Sequence, residues 1–408
     1  VSQPAHLHPS DLHGLSRLAL DGVIGTTRLV EHLHHTISRV SAPIGRPARG
    51  QTRGITGLVY RSIHGVTGLV GGTADFAFGQ IVPRLTPTSS SPQRERFLAV
   101  LNGVLGDHLE TSDNPLAIPM AFRHRGQRLD LNGEVISNVI ERPQRRLLIS
   151  LHGLCMNDLR WHEGGESMPD KLAAALGYTP LYLHYNSGRH VSSNGRELAE
   201  QLEQLVNEWP QPIDDIVLLG HSMGGLIARS ACHYGLIEKR DWLGRVSTLI
   251  TLGTPHHGAP LERIGNKVDH LLAISPYSVP FTRLGKLRSA GITDLRHGNL
   301  IDDDWQSSDR FENASDSRQP ALMPPHIECH AVAATLVATI DDQPNSLRSR
   351  LVGDGLVPVA SALGHHDDAG RHFNIPESNQ HVLTNTGHVE LIDHPEVHAV
   401  LARWLNSR

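Results

Sequence analysis

Cysteine is scarce in this chain: Cys155, Cys232 and Cys329 are the only three in 408 residues. They stand far apart, which excludes a disulfide framework and a metal-type ligand spacing. Reduced, buried thiols are the expectation, because a small free cysteine packs like an apolar side chain. A single disulfide is the alternative. Long apolar runs are missing too, and none reaches the roughly 18 to 20 residues that a bilayer-spanning helix needs. Charge of one sign is not in excess: the formal net charge is −5, so nothing points to nucleic acid as a partner. No internal repeat is visible. The chain opens on Val1 rather than Met, so an N-terminal segment is expected to have been removed, along with any signal peptide it held. That leaves the compartment open, with a soluble, cytoplasmic protein favoured.

What the chain does have is 38 glycines and a 39% hydrophobic fraction. Its length suffices for one large α/β domain with an accessory region, or for two domains. Residues 1–95 differ from the rest. Leu12, Leu15, Leu18, Val23, Ile24, Val30, Leu33, Ile37 and Val40 recur at helical spacing, as do Ile55, Leu58, Val59, Ile63, Val66, Leu69 and Val70. A Pro/Gly/Arg-rich break at 43–50 divides them, and a second break at 83–92 carries three serines in a row. The pattern predicts two amphipathic helices. They form a helical accessory layer, a membrane-surface or lipid-facing element, or an oligomer contact; the oligomeric state is unread. Few lysines sit on these faces, which weakens the case for anionic lipid.

From about residue 97 the pattern becomes a strand–helix alternation. A helix is expected over 97–109 and a polar–apolar stretch over 117–131. Strands are expected over 146–151, 178–185, 216–219, 246–252, 327–337 and 381–386, with helices at 195–208, after residue 222, and at 396–405. That alternation predicts a mainly parallel sheet with helices on both faces. The expected division is a helical region over 1–95 and a catalytic α/β domain over 96–408. Residues 261–325 exceed a simple crossover and read as a cap insertion.

The chemistry centres on Gly220-His221-Ser222-Met223-Gly224, set between Ile216–Leu219 and Leu226–Arg229. A G-x-S-x-G string alone is weak, since roughly 0.27 are expected by chance in a chain of this composition. An apolar strand before it and glycines at 220, 224 and 225 make it a nucleophile elbow, a strained turn that lifts a hydroxyl clear of the sheet. Such a serine needs a base, and the base an orienting carboxylate, in the chain order Ser, acid, His. Asp354 is the acid candidate, flanked by Gly353 and Gly355; Asp341, Asp342, Asp367 and Asp368 are rivals. His388, just past the last expected strand, is the base candidate among 28 histidines, ahead of His381 and His394. Backbone N–H groups must also receive the developing oxyanion. Met223, after the nucleophile, and Leu154, in His152-Gly153-Leu154 beyond an earlier strand, are the candidates.

These strings, with Gly253-Thr254-Pro255-His256-His257-Gly258, resemble bacterial lipases and esterases of the α/β-hydrolase superfamily. The GHSMGGL and GTPHHG forms are similar also to the GPI inositol-deacylase-like branch. The resemblance covers residues 140–408. It implies an α/β-hydrolase fold and hydrolysis of carboxylic esters through an acyl-serine and without a cofactor; the amphipathic N-terminal region and the cap insertion point to a lipid-like or polymeric ester as substrate. It also implies that His152, Gly153, His221, Thr254, Pro255 and His256 shape the pocket. An acyltransferase with the same triad, or a non-catalytic membrane-associated binding module, is the alternative. No metal is expected: His365-His366-Asp367-Asp368 reads as a solvated loop before it reads as a ligand set.

Overall fold

The computed structural model describes residues 10–22 (except 12), 90–259 (except 164), 289–306, 318–338 and 353–406. Strands β3 (Arg146–Leu151), β4 (Thr179–His184), β5 (Asp215–His221), β6 (Val246–Leu252), β7 (Glu328–Ala334) and β8 (Gln380–Leu383) run parallel. A hairpin of β1 (Ala121–His124) and β2 (Gln127–Arg128) adds antiparallel to β4. The order across the sheet is β2-β1-β4-β3-β5-β6-β7-β8. This is the α/β-hydrolase fold.

The helices are α1 (10–22), α2 (Pro92–Thr111), α3 (Gly133–Val139), α4 (Met168–Leu176), α5 (Val191–Glu208), α6 (Met223–Ile237), α7 (Ala290–His297), α8 (Asp303–Gln306), α9 (Val359–Ala362) and α10 (Pro395–Asn406). The central strands read as unbroken apolar runs because both of their faces are covered. Leu147, Ile149, Leu218 and Leu249 pack with Leu198 and Leu202 of α5 and Leu226 of α6. Their neighbours Leu148, Val217, Leu219 and Ile250 pack with Leu172 of α4 and Leu401 of α10. Each fully buried side chain of this kind contributes about 1.5–3 kcal/mol.

Several boundaries differ from the sequence expectation, each for a tertiary reason. Helix α5 starts at Val191 rather than Gly195, because the Asp294 carboxylate accepts the Val191 N–H at 2.8 Å from far along the chain. Strand β7 stops at Ala334 rather than Val337, where the Leu336 N–H turns to the Gly353 carbonyl at 3.1 Å. The stretch 117–131 resolves into the β1–β2 hairpin, whose turn residues Arg125 (φ 49) and Gly126 (φ 76) are both left-handed, as a tight hairpin requires. Cys232 and Cys329 are buried and Cys155 is only half-buried; all three are free thiols.

Chain contacts divide the molecule into two compact units: Val1–Arg94 with Leu109–Ala117, and Glu95–His108 with Ile118–Arg408. In the first, α1 departs from its expected apolar stripe. Asp11 and His13 are buried while Leu15 is 38% exposed. The Asp11 carboxylate meets the Arg94 guanidinium at 2.5 and 2.7 Å, and the Arg17 guanidinium donates to the carbonyls of Ser112 and Asp113. Leu18 is half-buried, and pairing with Arg94 accompanies the burial of Asp11. The second expected helix lies outside the described residues.

In the second unit, Arg123 of β1 pairs with Glu95 of α2 and with Asp158, each at 3.0 Å. Within the expected cap, Ile292, Leu295, Leu300 and Ile301 pack into the main core, and 261–288 and 307–317 lie outside the described residues. No helix among the described residues is long and apolar enough to cross a membrane.

Candidate active site

Strand β5 carries Gly220 and His221 to the sheet's edge, and α6 begins at Met223, so Ser222 occupies the turn between them. Its φ of 54° and ψ of −120° are strained for a residue with a side chain. Three contacts hold it there. The Ser222 N–H donates to the Leu252 carbonyl at 2.8 Å, while the Ser222 carbonyl accepts from the Gly225 N–H at 3.1 Å and the Thr254 hydroxyl at 2.9 Å. The turn closes only because its neighbours lack side chains: a Cβ at Gly224 would lie 2.4 Å from the Leu151 carbonyl oxygen, and one at Gly225 2.1 Å from Thr254 Oγ1.

Asp354 sits in the loop before α9, 3% exposed. Its Oδ1 accepts the N–H groups of Leu356 (2.9 Å) and Val357 (2.8 Å). Its Oδ2 is left for the His388 Nδ1–H, 2.6 Å away, and the His388 N–H donates to the Asp354 carbonyl at 3.0 Å. The pair and the serine meet at β6. Ser222 bonds Leu252, and the next residue is Gly253 (φ 57). A Cβ there would lie 3.1 Å from both Asp354 Oδ2 and His388 Cε1.

The rival acids and bases are engaged elsewhere or lie outside the described residues, as Asp341 and Asp342 do. Asp368 is exposed and accepts from the Gly370 N–H and from Arg371. Asp367 is exposed. His381 pairs with Glu396 at 2.8 Å, and His394 accepts the Glu396 N–H. In the His365–Asp368 loop, His366 Nδ1 accepts the Asp368 N–H at 2.9 Å. No group of three His, Cys, Asp or Glu residues converges as a metal set among the described residues.

The candidate oxyanion donors are both buried, and neither the Leu154 nor the Met223 N–H has an acceptor among the described residues. Gly153 passes close to the serine, since a Cβ on it would lie 3.2 Å from Ser222 Cβ and 3.1 Å from His221 Nδ1. His152 stacks on Tyr185 at 4.1 Å, and its Nδ1–H donates to the Gly153 carbonyl at 2.8 Å. Burial pulls its pKa down to about 3. His221 is fully buried and depressed well below the ordinary range, first by desolvation and then by His388. It is therefore neutral, and its Nε2–H donates to the His388 carbonyl at 3.1 Å.

Beyond Thr254, the Pro255 carbonyl accepts the Gly258 N–H, closing the turn. That turn leads the buried His256 ring to Arg229, whose Nη1–H donates to His256 Nδ1 at 3.0 Å. Sequence reading passed over Arg229. The available signal was a lone charge in the apolar run Leu226-Ile227-Ala228. Tyr185, whose hydroxyl bonds the His152 carbonyl at 2.5 Å, left no signal of its role.

Comparison with known proteins adds a similarity over part of the chain. Residues 162–327 match the family model of the PGAP1-like alpha/beta domain. That segment is similar to a PGAP1-like domain, within a chain that has the α/β-hydrolase fold. The PGAP1-like segment takes in the Ser222 elbow and the Thr254 turn; Asp354 and His388 lie C-terminal to it. The GPI inositol-deacylase of Schizosaccharomyces pombe is 35% identical over 98 residues, which is 24% of this chain and 7% of that protein. Among solved structures, the mature lipase BlEst2 of Bacillus licheniformis is similar, with a TM-score of 0.43 and 18% identity over 65% of this chain and 95% of that one. An alpha/beta hydrolase superfamily protein from Enterococcus faecalis aligns at a TM-score of 0.39 and 16% identity, over 64% and 91%.

Proposed function

We propose that this chain is a serine ester hydrolase with Ser222 as nucleophile, His388 as general base and Asp354 as the orienting carboxylate. One observation carries the reading. The buried Asp354–His388 hydrogen bond of 2.6 Å stands against Gly253, the residue after the carbonyl that anchors the strained Ser222. A carboxylate on Nδ1 leaves Nε2 as the ring's free acceptor and stabilises the imidazolium that forms when it takes a proton.

In the proposed reaction, Ser222 Oγ attacks the ester carbonyl as His388 Nε2 accepts its proton. The negative charge that develops on the carbonyl oxygen falls to the Leu154 and Met223 N–H groups, which have no competing acceptor among the described residues. The alcohol departs with the proton from His388. Water then attacks the acyl-serine with the same base and restores the hydroxyl. His221 carries no charge, so its bond to the His388 carbonyl fixes the base without competing for the proton. The PGAP1-like match and the inositol-deacylase relative favour a lipid-like acyl ester as substrate.

The test is turnover of p-nitrophenyl esters from acetate to palmitate, wild type beside Ser222→Ala. Wild-type hydrolysis with an optimum at longer acyl chains is expected, and kcat should fall by about 10⁴–10⁶ in the variant. A Ser222→Ala protein as active as the wild type would sink the assignment.

A further inference from the structure

Arg229 has a second consequence, independent of ester chemistry. Its side chain is 95% buried on α6, a helix otherwise apolar or uncharged, and it faces no carboxylate within ion-pairing distance among the described residues. The guanidinium stacks over the Phe373 ring at 3.8 Å and gives one hydrogen bond to His256. Its buried Nε has no partner among the described residues. Burial lowers its pKa only to about 10, so it remains a cation at neutral pH. A charge taken from water without a counter-ion is costly, and buried charges are ordinarily paired.

The guanidinium lines a cavity of about 30 Å³ with Arg318, Arg371, His256, His257 and Asp304. Both imidazoles are held neutral by burial, and each is committed: His256 to Arg229 and Thr251, His257 to the Gly364 carbonyl at 2.9 Å. The Asp304 carboxylate is spent on the N–H groups of Leu300, Ile301 and Gln319. Arg318 donates to the Gly298 carbonyl at 2.9 Å, and Arg371 meets Asp368 at 3.3 Å. A larger cavity of about 510 Å³ adjoins it and shares Arg229 and Arg371 with the first.

We propose that this cavity binds a phosphate-type oxyanion, with Arg229 as its buried anchor and Arg371 at its mouth. A small tetrahedral anion matches the space and offers acceptors to the Arg229 Nε–H and to the neighbouring guanidinium forks. Free phosphate and the phosphate of an esterified headgroup share this chemistry. The headgroup would extend into the larger cavity.

The experiment titrates the full chain with inorganic phosphate at constant ionic strength, with chloride as the control. Binding is read by calorimetry and by the rise in Tm. Glycerol phosphate and glycerophosphocholine form two further arms. Arg371→Gln is the principal variant because its side chain, 24% exposed, lies outside the apolar core; Arg229→Lys, which keeps the charge and loses the fork, is the second. A saturable rise in Tm of about 4 °C or more is expected with phosphate and not with chloride. Kd should weaken about tenfold in Arg371→Gln, the loss of one charge-assisted contact, and Ser222→Ala should bind phosphate as the wild type does. Binding of free phosphate alone fixes the ligand as the inorganic ion, and binding of the esters too makes it a headgroup site. No saturable binding of any of the three, or an Arg371→Gln protein with unchanged Kd, would overturn the proposal.

Discussion

Two buried histidines flank the loop after β6, and their partners have opposite charge. His388 faces the Asp354 carboxylate at 2.6 Å, and His256 faces the Arg229 guanidinium at 3.0 Å. Both rings are almost fully out of solvent. Burial is common to both, so it cannot distinguish their roles. The partner does. A carboxylate on Nδ1 makes protonation at Nε2 tolerable, whereas a guanidinium on Nδ1 forces the ring to stay an acceptor. In the proposed mechanism the first ring accepts a proton during the reaction, while the second accepts a hydrogen bond from a buried cation.

The largest test of this contrast is Asp354→Asn. The amide keeps the shape and removes the charge, and it can donate where the carboxylate accepted. Ester turnover should drop by about 10⁴ in kcat, with the fold's thermal stability measured alongside to separate chemistry from collapse.

Acid should expose the neutral histidines next. His221, His256, His184 and His152 (about 3) all have folded-state pKa values below the ordinary 6.5, chiefly through desolvation, and His257 is at about 4. Below pH 6.5 the unfolded chain therefore binds more protons than the folded one, and stability falls as pH falls from 6.5 toward 4. Each ring held neutral contributes up to about 1.4 kcal/mol per pH unit in that window. Urea midpoints between pH 7 and pH 5 should drop steeply; a flat profile would mean that these rings are not buried as described.

His256→Ala is a milder break. It strips the buried Arg229 of its one side-chain acceptor among the described residues and should cost about 2–4 kcal/mol in denaturant unfolding, more than the loss of a neutral hydrogen bond. Smallest is Gly225→Ala. The new methyl would meet Thr254 Oγ1, and a shift there costs about 1–3 kcal/mol. Because Thr254 also holds the Ser222 carbonyl, kcat should fall with KM little changed.

The sheet was legible because β3, β5 and β6 are covered on both faces, which writes a run of Leu, Ile and Val into the chain. The β1–β2 hairpin was not, since Arg125-Gly126 lacks the usual Asn or Asp of a tight turn and its second strand is only Gln127–Arg128. In α1 the apolar spacing foretold the helix but not all of its buried residues: Asp11, paired with Arg94, and His13 are buried, while Leu15 is left 38% exposed. For the candidate site, residue types and chain order singled out Ser222, Asp354 and His388, and rival aspartates could be ranked only by their flanking glycines. That Asp354 Oδ1 is occupied by two backbone N–H groups, leaving Oδ2 for His388, depends on loop geometry that no spacing encodes.

By itself, then, the sequence determined which segments must be strands and helices and where a strained Ser-bearing turn could close, because these follow from local sterics and from side chains that must leave water. Only the tertiary structure decided which charge stands beside which buried ring. Asp354 is 34 positions from His388, and Arg229 is 27 from His256. Electrostatic partnership is set by ångströms in space, and distance along the chain carries no trace of it.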